Sequence, residues 1–135
     1  KAGRAGMTVS AVCSVTDSPP TLLVCINRNS RSHDIFLRNG VLCVNILNAA
    51  HQELSGLFAS KADQETRFLQ AVWHRRVTGA PALEDAVVSF DCRIESITNI
   101  GTHSVIFSAI QDIEIRHGSP ALVYFRRGYH ALGTS

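Results

Sequence analysis

Hydroxyl side chains recur at the start of the chain. Thr8, Ser10, Ser14 and Thr16 alternate with Met7, Val9, Ala11, Cys13 and Val15. A period of two predicts a strand with one apolar face and one hydroxyl face. Such a face is either the wetted side of an antiparallel sheet or a hydrogen-bonding surface for a polar ring system. A second cluster is Asn27-Arg28-Asn29-Ser30-Arg31-Ser32, between an apolar run and a helical pattern. Hydroxyls, backbone donors and two guanidiniums meet there. They suit a phosphate at a helix start, or equally a capped helix with solvated arginines. Asn45 interrupts the apolar run VLCVNIL, and a buried amide must be paired, with backbone or with a ligand edge. Ser55 and Phe58 lie on the following helical pattern, where they either close over the same site or simply pack. His103 follows Gly101-Thr102 at the head of an apolar run, and a lone histidine there is more often structural than catalytic.

Other chemistries are missing. The sequence holds no G-x-G-x-x-G, no Walker loop, no G-x-S-x-G and no H-E-x-x-H. His33, His51, His74, His103, His117 and His130 show no ligand spacing, so no metal site is expected.

The elements that must position these residues read as mostly β. Thr21–Asn27 and Val41–Leu47 are apolar strands. Val88, Phe90, Cys92 and Ile94 alternate with Ser89, Asp91, Arg93 and Glu95, which predicts a half-exposed strand. His103–Ile115 is a long strand, and Ala121–Leu132 a closing strand or strand pair. Residues 30–39 predict a short helix stopped by Gly40, and residues 49–59 a second one. Residues 60–84 read as mixed. Six or so strands with short helices predict an all-β barrel in one domain, and no βαβ alternation supports a Rossmann fold.

Composition agrees with a globular domain: 45% hydrophobic, 18% charged and a net charge of +2. Scattered Lys and Arg give no nucleic-acid footprint, and no run is long enough to span a bilayer. Cys13, Cys25, Cys43 and Cys92 form no C-x-x-C pair and are expected to be buried free thiols, which favours a cytoplasmic setting. The chain opens Lys1-Ala2-Gly3-Arg4 without Met and runs at once into a strand pattern, so a preceding segment is expected.

The ordered set Ala5-Gly6-Met7-Thr8-Val9-Ser10-Ala11-Val12-Cys13-Ser14-Val15, Asp17-Ser18-Pro19-Pro20 and Leu23-Val24-Cys25-Ile26-Asn27 resembles the opening of the flavin reductase-like family. The similarity continues through Leu42–Leu47, Leu54-Ser55-Gly56-Leu57-Phe58, Gly101-Thr102-His103 and Gly128-Tyr129-His130-Ala131-Leu132, over essentially the whole chain. The resemblance implies an FMN-binding split β-barrel of Greek-key type spanning 1–135, normally preceded by a helix and a strand, and a homodimer. It implies hydride transfer from NADH or NADPH to FMN or FAD, with reduced flavin supplied to a separate monooxygenase. Alternatives on the same barrel are reduction of another acceptor such as cob(II)yrinic acid a,c-diamide, and a non-catalytic flavin- or haem-binding module. Carried over by position, Thr8, Val9 and Ser10 lie by the isoalloxazine, and Ser14, Val15 and Thr16 line the ring or ribityl chain. Asn27, Ser30 and Ser32 hold the phosphate region. Asn45 and Leu47 pack near the ring, and Ser55 and Phe58 close the site. His103, Tyr129 and His130 fall on the nicotinamide side, with His103 as the catalytic candidate.

Overall fold

The computed structural model describes residues 2–133; Lys1, Thr134 and Ser135 of the expected 1–135 domain lie outside the described residues. The described residues are mostly β with three short helices. Its elements run β1 (Val12–Asp17), β2 (Pro20–Asn27), α1 (His33–Asn39), β3 (Val41–Ile46), α2 (Gln52–Phe58), α3 (Gln64–Phe68), β4 (Trp73–Arg75), β5 (Pro81–Leu83), β6 (Val88–Ile100), β7 (His103–Ile115), β8 (Ala121–Phe125) and β9 (Gly128–Leu132). An antiparallel sheet has the order β1-β2-β7-β6-β3. Two two-stranded ribbons, β4-β5 and β8-β9, stand beside it. Among the described residues no sheet closes on itself into a barrel.

The register explains the sheet's shape. β2 pairs with the first half of β7, Thr21 opposite Ala109 through Asn27 opposite His103. β3 pairs with the first half of β6, Val41 opposite Arg93 through Ile46 opposite Val88. The two flanks therefore attach at opposite ends of the β6–β7 hairpin. Register shifts at Asp91/Cys92 and Ile94/Ser96 let that hairpin bend between them. Leu22, Val24, Ile26, Leu42, Val44, Cys92 and Ile106 form the main core. Leu54 and Phe58 of α2, Phe68 of α3, Leu83 and Ala86 form a second cluster, with Trp73 against both phenylalanines.

Three expectations are corrected. The strand predicted from Met7 begins only at Val12. Met7, Val9 and Val12 pack against the main core, so the side-chain parity slips between residues 9 and 12. Cys13 and Val15 are consequently exposed rather than buried. On β6 the polar residues Ser89 and Asp91 are buried, not wetted. The β4–β5 ribbon and its linker, within the stretch read as mixed, cover that face: Thr78 donates its N–H (2.9 Å) and its hydroxyl to the Asp91 carboxylate. Both helices start later than expected, at His33 and Gln52. Side-chain turns precede them: the Asn27 side chain accepts from Asn29 N–H, and the Asn48 side chain accepts from Ala50 N–H. Gly40 does stop α1, at φ 71°, with its N–H on the Phe36 carbonyl.

The expectation of buried thiols holds in full for Cys92 alone: Cys25 is half-buried, and so is Cys43, whose thiol is shifted together with that of Cys92. Burial first, then the neighbouring Asp91 charge, pushes both thiols up to about 12. They are neutral and unreactive near neutral pH.

Candidate functional site

Helix α2 is the pivot. Its apolar positions Leu54 and Phe58 anchor it in the second cluster and leave Ser55 facing two other segments. Thr8 donates its hydroxyl to the Ser55 carbonyl at 2.6 Å and its N–H to the Phe58 carbonyl at 3.3 Å. On the other side the Ser55 hydroxyl meets the Tyr129 hydroxyl at 3.0 Å. Four of the residues singled out in the sequence, Thr8, Ser55, Phe58 and Tyr129, are thus brought together from three distant stretches.

Beyond Thr8 the backbone is open. Within the described residues the N–H groups of Val9, Ser10 and Ala11 find no acceptor in the chain. Ser10 and Ala11 are exposed and Val9 is half-buried. A row of free donors beside small side chains fits a flat ligand with acceptors along one edge, which is what a flavin ring presents. Ser14, Val15 and Thr16 follow on exposed β1, which pairs with β2 and has a register shift between Ser14 and Thr16.

Helix α3 holds this segment from below, and its role was missed in the sequence. Gly6 N–H donates to Gln64 Oε1 at 3.1 Å. The Gly6 carbonyl accepts from the Ser32 hydroxyl (3.2 Å) and from the Arg67 guanidinium. Gln64 Nε2 donates to Ser32 Oγ at 2.9 Å, closing the ring of bonds. Arg67 also donates to the Ser60 carbonyl at 2.6 Å. It is only 5% exposed, its Nε has no acceptor, and no acid lies within 4 Å among the described residues. Burial, and secondarily the charge of Arg31, pulls its guanidinium below the usual arginine range. It still carries its proton at neutral pH. The signal was faint: Asp63 three residues before Thr66 is an N-cap spacing, and the Thr66 N–H does donate to Asp63 at 2.8 Å.

The Asn27–Ser32 turn sits at the end of β2. Ser30 N–H donates to the Asn27 carbonyl, and the Ser30 hydroxyl caps Ser32 N–H at 3.2 Å. Arg31 N–H has no acceptor among the described residues, and the Arg31 side chain reaches the Ala62 carbonyl at 2.7 Å. Ser32 is buried and its hydroxyl is taken up by Gly6 and Gln64, so it shapes the turn from within. His103 pairs across from Asn27 at this end of the sheet, exposed, with Nδ1 on the Thr102 hydroxyl at 2.8 Å. No hydrogen bond joins it to Tyr129 or His130 among the described residues. His130 is exposed on the β8–β9 ribbon, with Nε2 on the Phe125 carbonyl.

Asn45 turns elsewhere. Its carbonyl oxygen accepts from Leu83 N–H (3.0 Å) and the Ser89 hydroxyl (2.7 Å), and its amide donates to the Pro81 carbonyl. It ties β3 to β5, the backbone-pairing alternative. Leu47 packs on the second cluster and accepts from Leu122 N–H, which roots the β8–β9 ribbon. A surface hollow of about 720 Å³ lies beside α2 between Glu53, Leu57, Gln70, Glu84 and Arg116, and none of the candidate site residues lines it. Among the described residues no cluster of His, Cys, Asp and Glu could hold a metal ion. Among the described residues no helix is long and apolar enough to cross a membrane.

Comparison with known proteins supplies the family. The model of the flavin reductase-like domain matches residues 1–133. The chain is 55% identical over 131 residues to the FMN reductase (NADH) RutF of Cronobacter sakazakii, covering 97% of this chain and 79% of that one. A crystal structure from Haemophilus somnus, assigned as a flavin reductase, superposes with a TM-score of 0.92 at 51% identity, over 93% of this chain and 81% of that one. BorF, the flavin reductase component of a bacterial two-component tryptophan halogenase, gives 0.88 at 29% identity, over 96% of this chain and 82% of that one. With its hydroxyl-lined segment docked on α2 and matched over nearly its whole length, the chain belongs to the flavin reductase-like family.

Proposed function

We propose that this protein is an NADH-dependent FMN reductase that supplies reduced flavin to a separate monooxygenase. The observation that carries the reading is the open backbone of Val9, Ser10 and Ala11 beside the Thr8–Ser55–Tyr129 junction. The named relatives support the choice of FMN and NADH.

Bound FMN supplies the hydride acceptor. The chain's work is to position and to shield. Val9, Ser10 and Ala11 offer N–H groups to the ring's polar edge, and Ser14, Val15 and Thr16 extend that wall. Asn27 and Ser30, with Arg31 N–H and the positive field of Arg31 and Arg67, serve the phosphate end, while Ser32 holds the turn. Ser55 and Phe58 back the ring, and Tyr129 and His130 bring the ribbon to the nicotinamide side. Hydride transfer demands distance and alignment rather than a protein base. His103 is assigned to orienting the nicotinamide or shielding the reacting atom. Exposed Ile97, Ile100, Ile113 and Ile115 on β6 and β7 support a homodimer, in which the sheet completes a split barrel. Residence in the cytoplasm fits four cysteines without a disulfide.

The test is NADH oxidation by purified protein with and without FMN, followed at the nicotinamide absorbance band. FMN-dependent turnover is expected. A protein that binds FMN but leaves NADH untouched removes the enzyme reading. In the His103→Ala variant turnover is expected to fall about tenfold, a loss of about 1.4 kcal/mol in transition-state stabilisation. Unchanged turnover strips His103 of its role.

A further inference from the structure

We propose that the Arg126–Arg127 turn of the β8–β9 ribbon grips the pyrophosphate of the nicotinamide dinucleotide. The inference rests on the reading of the chain as an NADH-dependent reductase and names how its reductant is held.

The turn is built against local preference. Arg126 has φ 53° and Arg127 φ 60°. A two-residue link between antiparallel strands with both φ positive is the type I′ turn, where Asn-Gly is favoured and a long side chain is strained. Phe125 pairs with Gly128 across it, so a glycine stands one residue too late to relieve the strain. Two arginines kept in such a conformation point to a task other than folding. Neither has an acid within 4 Å among the described residues, and both are exposed. They are two uncompensated cations on adjacent residues. Guanidiniums match phosphate oxygens in charge and in fork geometry, and two neighbouring ones match two linked phosphates.

Position adds a second, independent argument. Tyr129, bonded to Ser55, is two residues beyond Arg127. At about 3.3 Å per residue the turn lies roughly 7–10 Å along the ribbon from that bond. A nicotinamide ring seated beside Ser55 and Tyr129 carries its ribose and pyrophosphate outward over a comparable span. The surface along the way is aromatic. Tyr124 packs against Tyr129 at 5.1 Å and is 60% exposed, Phe125 is 59% exposed, and the Arg126 guanidinium sits 5.5 Å over the Phe125 ring. Exposed rings flanked by cations suit the face of a nucleotide as well as its phosphates.

The experiment is the double variant R126N/R127G, which installs the favoured turn while deleting both charges. Its melting temperature should equal or exceed that of the parent, so lost folding cannot mimic the result. The KM for NADH should rise about tenfold at low salt, with FMN affinity unchanged. N-benzyl-dihydronicotinamide, which has no phosphate, should be oxidised equally well by both proteins. The parent's KM for NADH should climb with ionic strength and the variant's should not. An unchanged KM for NADH overturns the proposal. So does an equal loss with the phosphate-free reductant, because the turn would then act by shape alone. If the parent oxidises neither reductant, the failure lies in the reductase reading itself.

Discussion

The Gly6–Thr8 segment and the β8–β9 ribbon both reach helix α2 at Ser55, and they are held in opposite ways. Gly6 is fixed at both its N–H and its carbonyl by Gln64, Ser32 and Arg67, and Thr8 by two bonds to α2. The ribbon has one side-chain bond to α2, Ser55–Tyr129, and backbone bonds at its root, from Leu122 N–H to Leu47 and from Ala49 N–H to Pro120. Its tip carries exposed Tyr124 and Phe125. One wall of the site is therefore built into the core and the other is hinged on it. A reductase that takes up a nicotinamide beside a bound flavin needs that inequality: a fixed floor for the ring and a wall that can yield to the second ligand.

The largest blow to the comparison is Arg67→Met. It keeps the volume and removes the charged donor to Gly6 and Ser60. Hydrogen bonds to a charged group contribute about 1.5–3 kcal/mol each, so a loss of about 3 kcal/mol is expected. In a domain of this size that lowers Tm by about 10 °C. FMN affinity should fall with it. A thermal melt that moves by only a degree or two would show that the segment is not anchored through α3.

Gly6→Ala probes the same anchor from the other direction. A Cβ there would stand 2.5 Å from Phe58 Cε2 and 3.2 Å from Phe68 Cζ. Phe58 is itself wedged edge-on against Phe68 at 5.3 Å and cannot withdraw freely. Overpacking of this kind costs about 1–3 kcal/mol. Denaturant unfolding should show a lower midpoint with an unchanged slope, and FMN titration a weaker affinity. A variant as stable as the parent would mean that the Phe58 ring gives way, and the floor would not be rigid.

How much of this could be read from residue order alone differs between the two walls. The ribbon was legible because its pattern is local: the apolar run Ala121–Phe125 is followed closely by Gly128–Leu132, and the two pair with each other. β2, β3 and β7 were legible for the same reason, each an apolar run with a clear stop. The floor was not, because it depends on contacts between distant stretches. Period two carried the strand back to Met7, but Gly6 and Thr8 are drawn off to α3 and α2 and the parity slips before Val12. Hydroxyl type alone could not tell that Ser32 turns inward while Ser10 stays exposed. Asn45 was rightly read as needing partners, but only β5, a strand of three residues hidden in a mixed stretch, reveals that they are Leu83, Ser89 and Pro81. Arg67 gave little warning, since a buried cation answered only by carbonyls has no sequence pattern of its own.

Tyr129→Phe tests the hinged wall with the smallest change, one hydroxyl. Ser55 keeps its place on α2, because its carbonyl still takes the Thr8 hydroxyl and Leu54 and Phe58 still pack. The net contribution of a single neutral hydrogen bond is about 0.5–1.5 kcal/mol, and at a hinged element most of it is felt locally. Tm should fall by no more than about 4 °C. Amide exchange should quicken in residues 121–132 and stay unchanged at Gly6 and Thr8. If Thr8 exchanges faster as well, the two walls communicate through Ser55, and a ligand that moves the ribbon would loosen the floor.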